Sequence, residues 1–246
     1  MRDLSLIICT RNRAAQLTRC LTYVAAIETR ADWELVLVDN GSSDNTAGVI
    51  ADFAKSARFP VLNVNEPLRG LGRARNAGLR VARGRLIAFT DDDCYPASDY
   101  IQNVSNVFTD TSLGFVGGRV TLYSIDDYPF TIKESLDTQY FPPRSYIAAG
   151  QLAGANMVFR REVIDEIGGF DADFGAGTLF CCEDCDAFER ASFAGWRRNC
   201  GLPRVPEILV RFSGCGTMSM PILPRSACPR RSWWWHVSTG SRAGRG

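Results

Sequence analysis

Residues 84–93 read Gly-Arg-Leu-Ile-Ala-Phe-Thr-Asp-Asp-Asp, a short apolar run that leads into three consecutive acids. Four successive apolar residues at 86–89 are typical of a strand that is covered on both faces of a sheet. Three adjacent carboxylates repel one another, so they call for a compensating cation. This stretch therefore predicts a buried strand that delivers Asp91, Asp92 and Asp93 to one edge of a sheet.

The sequence before this stretch alternates between strand and helix periodicity. Apolar runs at 4–9, 33–38 and 61–64 predict three further buried strands. Helical spacing separates them, first around Leu17 to Ile27, then around Val49 to Phe53. A third helix is expected to follow the bend at Gly70 and to end at Gly84. The alternation predicts an α/β fold with a doubly wound, mostly parallel sheet flanked by helices.

Two acidic positions are expected to share one crevice. Ligands of doubly wound sheets bind beyond the carboxyl ends of the strands. Asp39 directly follows the second predicted strand, and residues 91–93 follow the fourth. Asp39 could accept a hydrogen bond from a nucleoside. An Asx-turn in the Asn-Gly bend would also explain an aspartate at this position.

The acidic triplet has two interpretations of its own. Oxygen ligands at a strand end suit a hard divalent cation such as Mg²⁺ or Mn²⁺, which leaves coordination positions open for phosphate. A solvated acidic turn is the simpler alternative. The position at the mouth of a parallel sheet favours the metal.

The second half predicts strands at 115–122 and 152–159, separated by a polar loop at 123–150 that suits a lid or an acceptor surface. Helices are expected at 161–167 and 183–196. The latter opens with Glu183-Asp184-x-Asp186. Acids in the first turn are favoured by the helix dipole, but one of them could also be a general base.

Several classes of protein are excluded or left unsupported. The first predicted strand is followed by Thr-Arg-Asn-Arg-Ala, without the glycines of a dinucleotide-binding loop, and the chain has no Walker-type loop. These absences exclude a dehydrogenase and a nucleoside triphosphatase. The formal net charge of +1 gives no indication of a nucleic acid partner. A content of 46% hydrophobic and 22% charged residues is usual for a globular protein.

Nine cysteines are scattered along the chain. Cys182-x-x-Cys185 has the spacing of half a zinc site, but no second Cys or His pair follows at a suitable distance. Buried or incidental thiols are therefore favoured over structural zinc.

The motifs together resemble the family 2 glycosyltransferases, which have the GT-A fold. The resemblance rests on segments in a fixed order, from about residue 4 to residue 200: Thr10-Arg11-Asn12-Arg13, Asp39-Asn40-Gly41-Ser42-Ser43-Asp44, Gly72-x-x-Arg75-Asn76-Ala77-Gly78, Thr90-Asp91-Asp92-Asp93, Gly154-Ala155-Asn156-Met157, Gly168-Gly169-Phe170-Asp171 and Glu183-Asp184-x-Asp186. Each segment is weak alone, and the ordered set is specific.

The resemblance implies a role for each matching position. It implies a nucleotide-sugar pocket, a metal site, a catalytic base and an acceptor side. The pocket would be lined by Thr10, Arg11, Asp39, Arg73, Asp91 and Asp92; the metal would be held by Asp91 and Asp93; the base would be Asp184, or else Glu183; the acceptor side would comprise Gly154, Ala155 and Asn156.

The implied reaction moves a sugar from a nucleoside-diphosphate sugar to a saccharide, lipid-linked or other hydroxyl acceptor, with inversion at the anomeric carbon and with Mn²⁺ or Mg²⁺. One alternative is an impaired protein that binds the donor without turning it over. A weaker alternative is a sugar-1-phosphate nucleotidyltransferase, which would need a Gly-rich basic loop after the first strand.

The C-terminal segment departs from the family pattern. We expect a glycosyltransferase domain at 1–200 and an irregular tail at 201–246. The tail is rich in Arg, Pro, Ser and Gly, and Arg outnumbers Lys by 26 to 2 in the whole chain, which suggests translation in a shifted reading frame. A basic, aromatic tail that touches acidic lipid head groups is the alternative. No targeting segment is visible, so a cytoplasmic location is expected, with attachment to the inner membrane surface left open.

Overall fold

A computed structural model describes residues 1–124, 132–134, 139–148, 150–200 and 209–212. All of them belong to one compact unit, Met1–Cys215. Most of the expected tail at 201–246 and much of the expected lid at 123–150 lie outside the described residues. None of the helices in the described part of the chain is long and apolar enough to cross a membrane.

The first half of the chain alternates strands and helices as the apolar pattern predicts. The elements are β1 (Arg2–Thr10), α1 (Ala14–Ala25), β2 (Trp33–Asp39), α2 (Thr46–Ser56), β3 (Val61–Asn65), α3 (Leu71–Val81) and β4 (Gly84–Asp91).

Helix α1 shows why the pattern is reliable here. Its residues Leu17, Cys20, Leu21 and Val24 recur every three or four positions, and all four are buried. They form one stripe against the sheet, so burial of this face stabilises the helix.

The expected end of α3 was wrong by three residues. The helix ends at Val81, and Gly84 is instead the first residue of β4. A Cβ atom at Gly84 would lie 2.3 Å from the backbone nitrogen of Ser5. Glycine is therefore required at this position because β4 begins in close contact with β1.

The second half contains short elements and a longer helix. They are β5 (Cys94–Pro96), α4 (Tyr100–Val107), β6 (Leu113–Gly117), β7 (Arg119–Leu122), β8 (Gln139–Phe141), β9 (Asn156–Arg160), α5 (Arg161–Glu166), α6 (Glu183–Phe193), β10 (Arg197–Cys200) and β11 (Leu209–Phe212). The strand expected at 115–122 is split at Gly118, and the strand expected at 152–159 begins only at Asn156.

The main sheet has eight strands in the order β3-β2-β1-β4-β9-β6-β10-β8. Strands β1 to β4 pair in parallel, and β9 lies antiparallel between β4 and β6. The predicted fold class, a mostly parallel sheet flanked by helices, is confirmed. Two buried clusters lie on opposite faces of this sheet, one against α1 and α4 and the other against α3, α5 and α6.

Register brings the predicted acids to one edge. Thr10 at the end of β1 is paired with Asp39 at the end of β2. On the other side of β1, Cys9 is paired with Asp91 at the end of β4. Asp39 and Asp91 thus flank the carboxyl end of the same central strand, as the sheet topology predicts.

A second, smaller sheet contains part of the segment that was expected to be irregular. Strand β11 lies between β5, with which it is antiparallel, and β7, with which it is parallel. This strand lies beyond residue 200, and the division into residues 1–200 and 201–246 stays a prediction.

Candidate active site

Asp92 is the most enclosed carboxylate of the acidic triplet. It is buried, and the hydroxyl of Thr10 donates a hydrogen bond of 2.6 Å to its Oδ2. Nε of Arg13 lies 2.9 Å from its Oδ1 as an ion pair. Arg13 also donates a hydrogen bond of 2.6 Å from a terminal nitrogen to Asp93 Oδ2. Thr10, the last residue of β1, and Arg13, in the loop after it, therefore hold two of the three acids in place.

The three carboxylates have few positively charged neighbours, and this affects the pKa of each. Burial raises the pKa of Asp91 to about 7, and repulsion from Asp93 and Asp92 adds to this, while Arg75 opposes it. Burial likewise raises the pKa of Asp92 to about 6 against the attraction of Arg13. The pKa of Asp93 is raised too, mainly by burial. The cluster therefore favours any further positive charge at pH 7.

One group of side chains in the described part of the chain could hold a metal ion. Ligand atoms of Asp91, Asp93 and Cys94 all lie within 4.8 Å of one another. Burial raises the pKa of the Cys94 thiol well above its ordinary value, so this sulfur stays protonated. The two carboxylates are therefore the fitting ligands, and they offer the oxygen atoms that Mg²⁺ and Mn²⁺ prefer.

The expected nucleoside side lies around the end of β2. Asp39 Oδ1 accepts a hydrogen bond of 2.9 Å from the backbone of Ser42, which is the Asx-turn contact that the sequence left open. Arg11 donates a hydrogen bond of 2.6 Å to the carbonyl of Asn40. Gly41 has a φ of 69° and so permits the bend between them. Asp39 at the end of β2 and Arg11 in the loop after β1 thus lie on adjacent segments beside Thr10.

Asn40 connects this loop to the start of α3. Its amide nitrogen donates hydrogen bonds to the carbonyls of Glu66 (2.9 Å) and Leu68 (2.7 Å), and its amide oxygen accepts one from Gly70 (3.0 Å). The buried side chain therefore ties the bend after β2 to the bend before α3.

Arg73 was predicted to bind the nucleotide sugar, and the structure does not place it beside the acidic triplet. It pairs with Asp173 at 3.3 Å; the Asp173 side chain is largely exposed and that of Arg73 is partly buried. Among the described residues, no contact joins Arg73 to residues 91–93. Its neighbours include Glu66 and Arg80, which line a shallow surface depression with it.

A buried arginine links the two halves of the site. Arg75 on α3 donates a hydrogen bond of 2.6 Å to Glu183 at the start of α6, and both side chains are less than a tenth exposed. A terminal nitrogen of Arg75 also lies 3.6 Å from Asp91 Oδ1. Phe89 and Phe170 face its guanidinium at 5.8 and 5.3 Å. Burial disfavours its charge, but the carboxylates of Glu183 and Asp91 outweigh this and raise its pKa.

The two candidate bases differ in their surroundings. Glu183 is buried against Arg75, so its carboxylate is already paired. Asp184 is half-buried, and its Oδ1 accepts a hydrogen bond of 2.8 Å from the backbone of Cys185. A Cβ at Gly154 would lie 2.6 Å from Asp184 Oδ2. The missing side chain at Gly154 therefore leaves room for the Asp184 carboxylate.

The other two residues expected on the acceptor side are structural in their contacts. The carbonyl of Ala155 accepts a hydrogen bond of 2.9 Å from Thr90. Asn156 is fully buried, and its amide donates to the carbonyl of Arg119 at 2.8 Å. Tyr100 donates to the Asn156 oxygen at 3.3 Å. These contacts hold β9 beside the end of β4.

Arg13 and Arg75 are absent from the site residues that the sequence singled out. Arg75 did carry a signal, because it lies on the face of α3 that holds Ala74, Ala77 and Gly78, all of which are buried. A charged residue on such a face must find a partner. Arg13 carried no comparable signal, since it lies in a polar loop.

Comparison with known proteins identifies relatives. The model for glycosyl transferase family 2 matches residues 5–168. Glycosyltransferase AglE of Haloferax volcanii is 27% identical over 171 residues, which are 68% of this chain and 55% of that protein. An uncharacterised glycosyltransferase of Nostoc sp., alr2836, is 31% identical over 173 residues, which are 67% of this chain and 52% of that protein. The chain thus spans about half the length of these relatives.

Solved structures show the same architecture. Mannosyltransferase PcManGT from Pyrobaculum calidifontis, in complex with GDP-Man and Mn²⁺, superposes with a TM-score of 0.64 at 23% identity, covering 87% of this chain and 59% of that chain. Residues 1–349 of TarS from S. aureus superpose with a TM-score of 0.67 at 16% identity, covering 86% of this chain and 60% of that chain. The sequence match and the shared architecture agree, so the chain belongs to glycosyl transferase family 2 and has the GT-A fold.

Proposed function

We propose that the chain transfers a sugar from a nucleoside-diphosphate sugar to a hydroxyl acceptor, with inversion, and that it needs a divalent cation. The observation that carries the proposal is the juxtaposition of two carboxylate groups joined by Arg75. One is Asp91 at the end of β4, and the other is the Glu183 and Asp184 pair at the start of α6.

The donor is proposed to lie across the carboxyl ends of β1 and β2. Thr10 is in register with Asp39 there, Arg11 donates a hydrogen bond to the carbonyl of Asn40, and Asp92 is hydrogen-bonded to Thr10. Solved proteins of the same fold contain GDP-Man in one case and UDP-GlcNAc in another, which supports a nucleotide sugar without choosing its base.

The cation is proposed to bind Asp91 and Asp93. When bound there, it supplies Lewis-acid stabilisation of the charge that develops on the departing diphosphate. Arg13, which is paired with both Asp92 and Asp93, would hold Asp93 in place, and Arg75 lies beside Asp91. The structural neighbour with Mn²⁺ supports a divalent ion, and Mn²⁺ or Mg²⁺ suits the two carboxylates equally.

Asp184 is proposed to take the proton from the acceptor hydroxyl. A general base must be able to approach the hydroxyl, and Asp184 is half-buried whereas Glu183 is enclosed with Arg75. Gly154 leaves room for the Asp184 carboxylate, and the acceptor would approach this carboxylate from its exposed side. Arg75 then keeps Glu183, and with it the first turn of α6, at a fixed distance from Asp91.

The acceptor is proposed to be a saccharide or lipid-linked hydroxyl. One relative is a beta-1,3-glucosyltransferase from Escherichia coli that acts on alpha-D-GlcNAc-diphosphoundecaprenol; it is 35% identical over 92 residues, which are 37% of this chain and 36% of that protein. We also propose that the protein acts in the cytoplasm, at or near the inner membrane surface.

Donor turnover with matched variants tests the proposal. GDP-mannose, UDP-glucose and UDP-GlcNAc are each offered with Mn²⁺, and the released nucleoside diphosphate is measured. Asp184→Asn is expected to lower turnover by about 10²- to 10⁴-fold while donor binding is kept, because the base does not contact the nucleotide. Asp165→Asn, an exposed acid on α5, is the control.

Three outcomes of this experiment are informative. Turnover that survives Asp184→Asn would reject Asp184 as the base. Binding without turnover in the unaltered protein would favour the impaired donor-binding protein. Release of pyrophosphate from a nucleoside triphosphate and a sugar phosphate would favour the nucleotidyltransferase.

A further inference from the structure

Three cysteines meet at the start of α6, in positions that the proposed reaction does not use. Cys181 and Cys182 are exposed, and Cys185 is half-buried. The Sγ atoms of Cys181 and Cys182 lie 3.4 Å apart, and the thiol of Cys185 is hydrogen-bonded to Cys182. Cys182 is therefore in contact with two other thiols and open to solvent.

Backbone geometry selects one pair of the three for a covalent bond. Cys182 is the N-cap residue of α6 and Cys185 is its third residue, and positions three apart in a helix have Cα atoms about 5 Å apart. Disulfides usually join Cα atoms about 4.4–6.8 Å apart. Cys181 and Cys182 are neighbours in the chain, so their Cα atoms are only about 3.8 Å apart. The geometry therefore favours Cys182 with Cys185.

The chemical environment makes Cys182 the nucleophile of this pair. Hydrogen bonding with Cys185, and to a lesser extent with Cys181, lowers the pKa of the Cys182 thiol to about 6, although burial and the carboxylates of Asp184 and Glu183 oppose this. Its position at the amino end of a helix acts in the same direction. The pKa of Cys185 is raised, first because of the same hydrogen bond. At neutral pH the cluster thus offers one thiolate next to one thiol.

We propose that Cys182 and Cys185 form a reversible disulfide when the protein meets a peroxide, and that this bond slows sugar transfer. The Cys182 thiolate attacks one peroxide oxygen, breaking the O–O bond to give a sulfenic acid and hydroxide. The Cys185 sulfur then attacks Cys182, so an S–S bond forms, the S–O bond breaks and the second oxygen leaves as water. Two thiols lose two electrons, and hydrogen peroxide is reduced to two molecules of water.

The bond would enclose both candidate bases. Glu183 and Asp184 are the two residues between the cysteines. Glu183 is hydrogen-bonded to Arg75 and Asp184 is packed against Gly154, so drawing the two sulfur atoms together acts on the turn that positions both carboxylates. This part of the inference rests on the proposed role of Asp184. A displacement of a catalytic group by about 1 Å can lower turnover about 100-fold.

Thiol mapping on the full-length protein tests the disulfide directly. The reduced protein is treated with hydrogen peroxide, its free thiols are alkylated, and it is digested with trypsin. The peptide at 162–190 contains all three cysteines and no internal Lys or Arg. We expect it to lose the mass of two hydrogen atoms and to carry one alkyl group, on Cys181. Dithiothreitol should restore three alkylated thiols.

Matched variants identify the partners. Cys182→Ser and Cys185→Ser should each abolish the bond, and Cys181→Ser should keep it. Three alkylated thiols after peroxide would overturn the inference. So would a bond between Cys181 and Cys182, or oxidation of Cys182 to a sulfinic acid without any bridge.

Turnover of the same samples tests the coupling to catalysis. The oxidised protein should release nucleoside diphosphate roughly ten- to 100-fold more slowly than the reduced protein, and Cys185→Ser should be insensitive to peroxide. A mapped disulfide with unchanged turnover would overturn the coupling. If the reduced protein turned over no donor, the proposed function would fail, and the thiol map would still decide whether the disulfide forms.

Discussion

Replacement of Arg75 by methionine is the sharpest test of how the site is held together. Met replaces the aliphatic stem of the arginine and has no charge, so Arg75→Met removes the guanidinium group and keeps the apolar part of the side chain. The ion pair with Glu183 spans 2.6 Å, and the two side chains are 4% and 8% exposed. Removing one partner leaves the other charge buried alone, which typically costs about 3–5 kcal/mol.

Loss of Arg75 affects more than one neighbour. Asp91 loses a cation at 3.6 Å, and the carbonyl of Gly154 loses a donor at 3.4 Å. We therefore expect Arg75→Met to lower the free energy of unfolding by about 3–5 kcal/mol. The double variant Arg75→Met with Glu183→Gln should be more stable than Arg75→Met alone, since the stranded carboxylate is then neutral.

Urea unfolding followed by tryptophan fluorescence measures this effect. The control is Arg80→Met on the same helix, because Arg80 is 66% exposed and pairs with Glu66 at 3.4 Å. An exposed pair of this kind contributes about 0–1 kcal/mol. If Arg75→Met were no more destabilising than Arg80→Met, the buried pair would not be what joins α3 to α6.

Three further predictions concern the acids and the sheet. Because the pKa of Asp91 is raised to about 7, the metal-free protein should lose stability as the pH rises from about 4 to 7. Mn²⁺ should therefore raise the Tm more at pH 8 than at pH 6. An equal rise in Tm at both pH values would contradict this. Thr10→Val should lower the free energy of unfolding in urea by about 1–3 kcal/mol, because buried Asp92 loses a hydrogen-bond donor at 2.6 Å. Thr10→Ser keeps the hydroxyl and should retain most of the stability. Gly84→Ala should lower the free energy of unfolding by about 1–3 kcal/mol or more, because the new methyl group would meet the backbone of β1 at 2.3 Å. Unchanged stability would mean that β1 and β4 can separate.

The strands that carry the site could be predicted because they are fully buried. Residues of β2 are apolar at nearly every position, and all seven are buried. The apolar run alone therefore predicts the strand, and the polar residue at its end predicts where the strand reaches the edge of the sheet. Helix α4 was overlooked although Ile101, Val104 and Val107 are buried at helical spacing. Strand β5 has only three residues, too few for any periodicity.

Side-chain pairing could not be predicted in the same way. Arg75 and Glu183 are 108 positions apart, and they meet because α3 and α6 pack on the same face of the sheet. The insertion of antiparallel β9 between β4 and β6 depends on long-range contacts as well. Asn156 is fully buried on β9, where its amide contacts Arg119 and Tyr100, contacts that the motif did not indicate; its place on the acceptor side stays a prediction.

Calorimetric titration of GDP and UDP, with and without Mn²⁺, tests the central claim most directly. The claim is that Asp91 and Asp93 hold a divalent cation that completes the donor site. We predict binding that depends on Mn²⁺ and is lost in the variant with Asp91→Asn and Asp93→Asn, while Asp165→Asn binds normally. Binding of equal strength without the metal, or in the double variant, would contradict the claim.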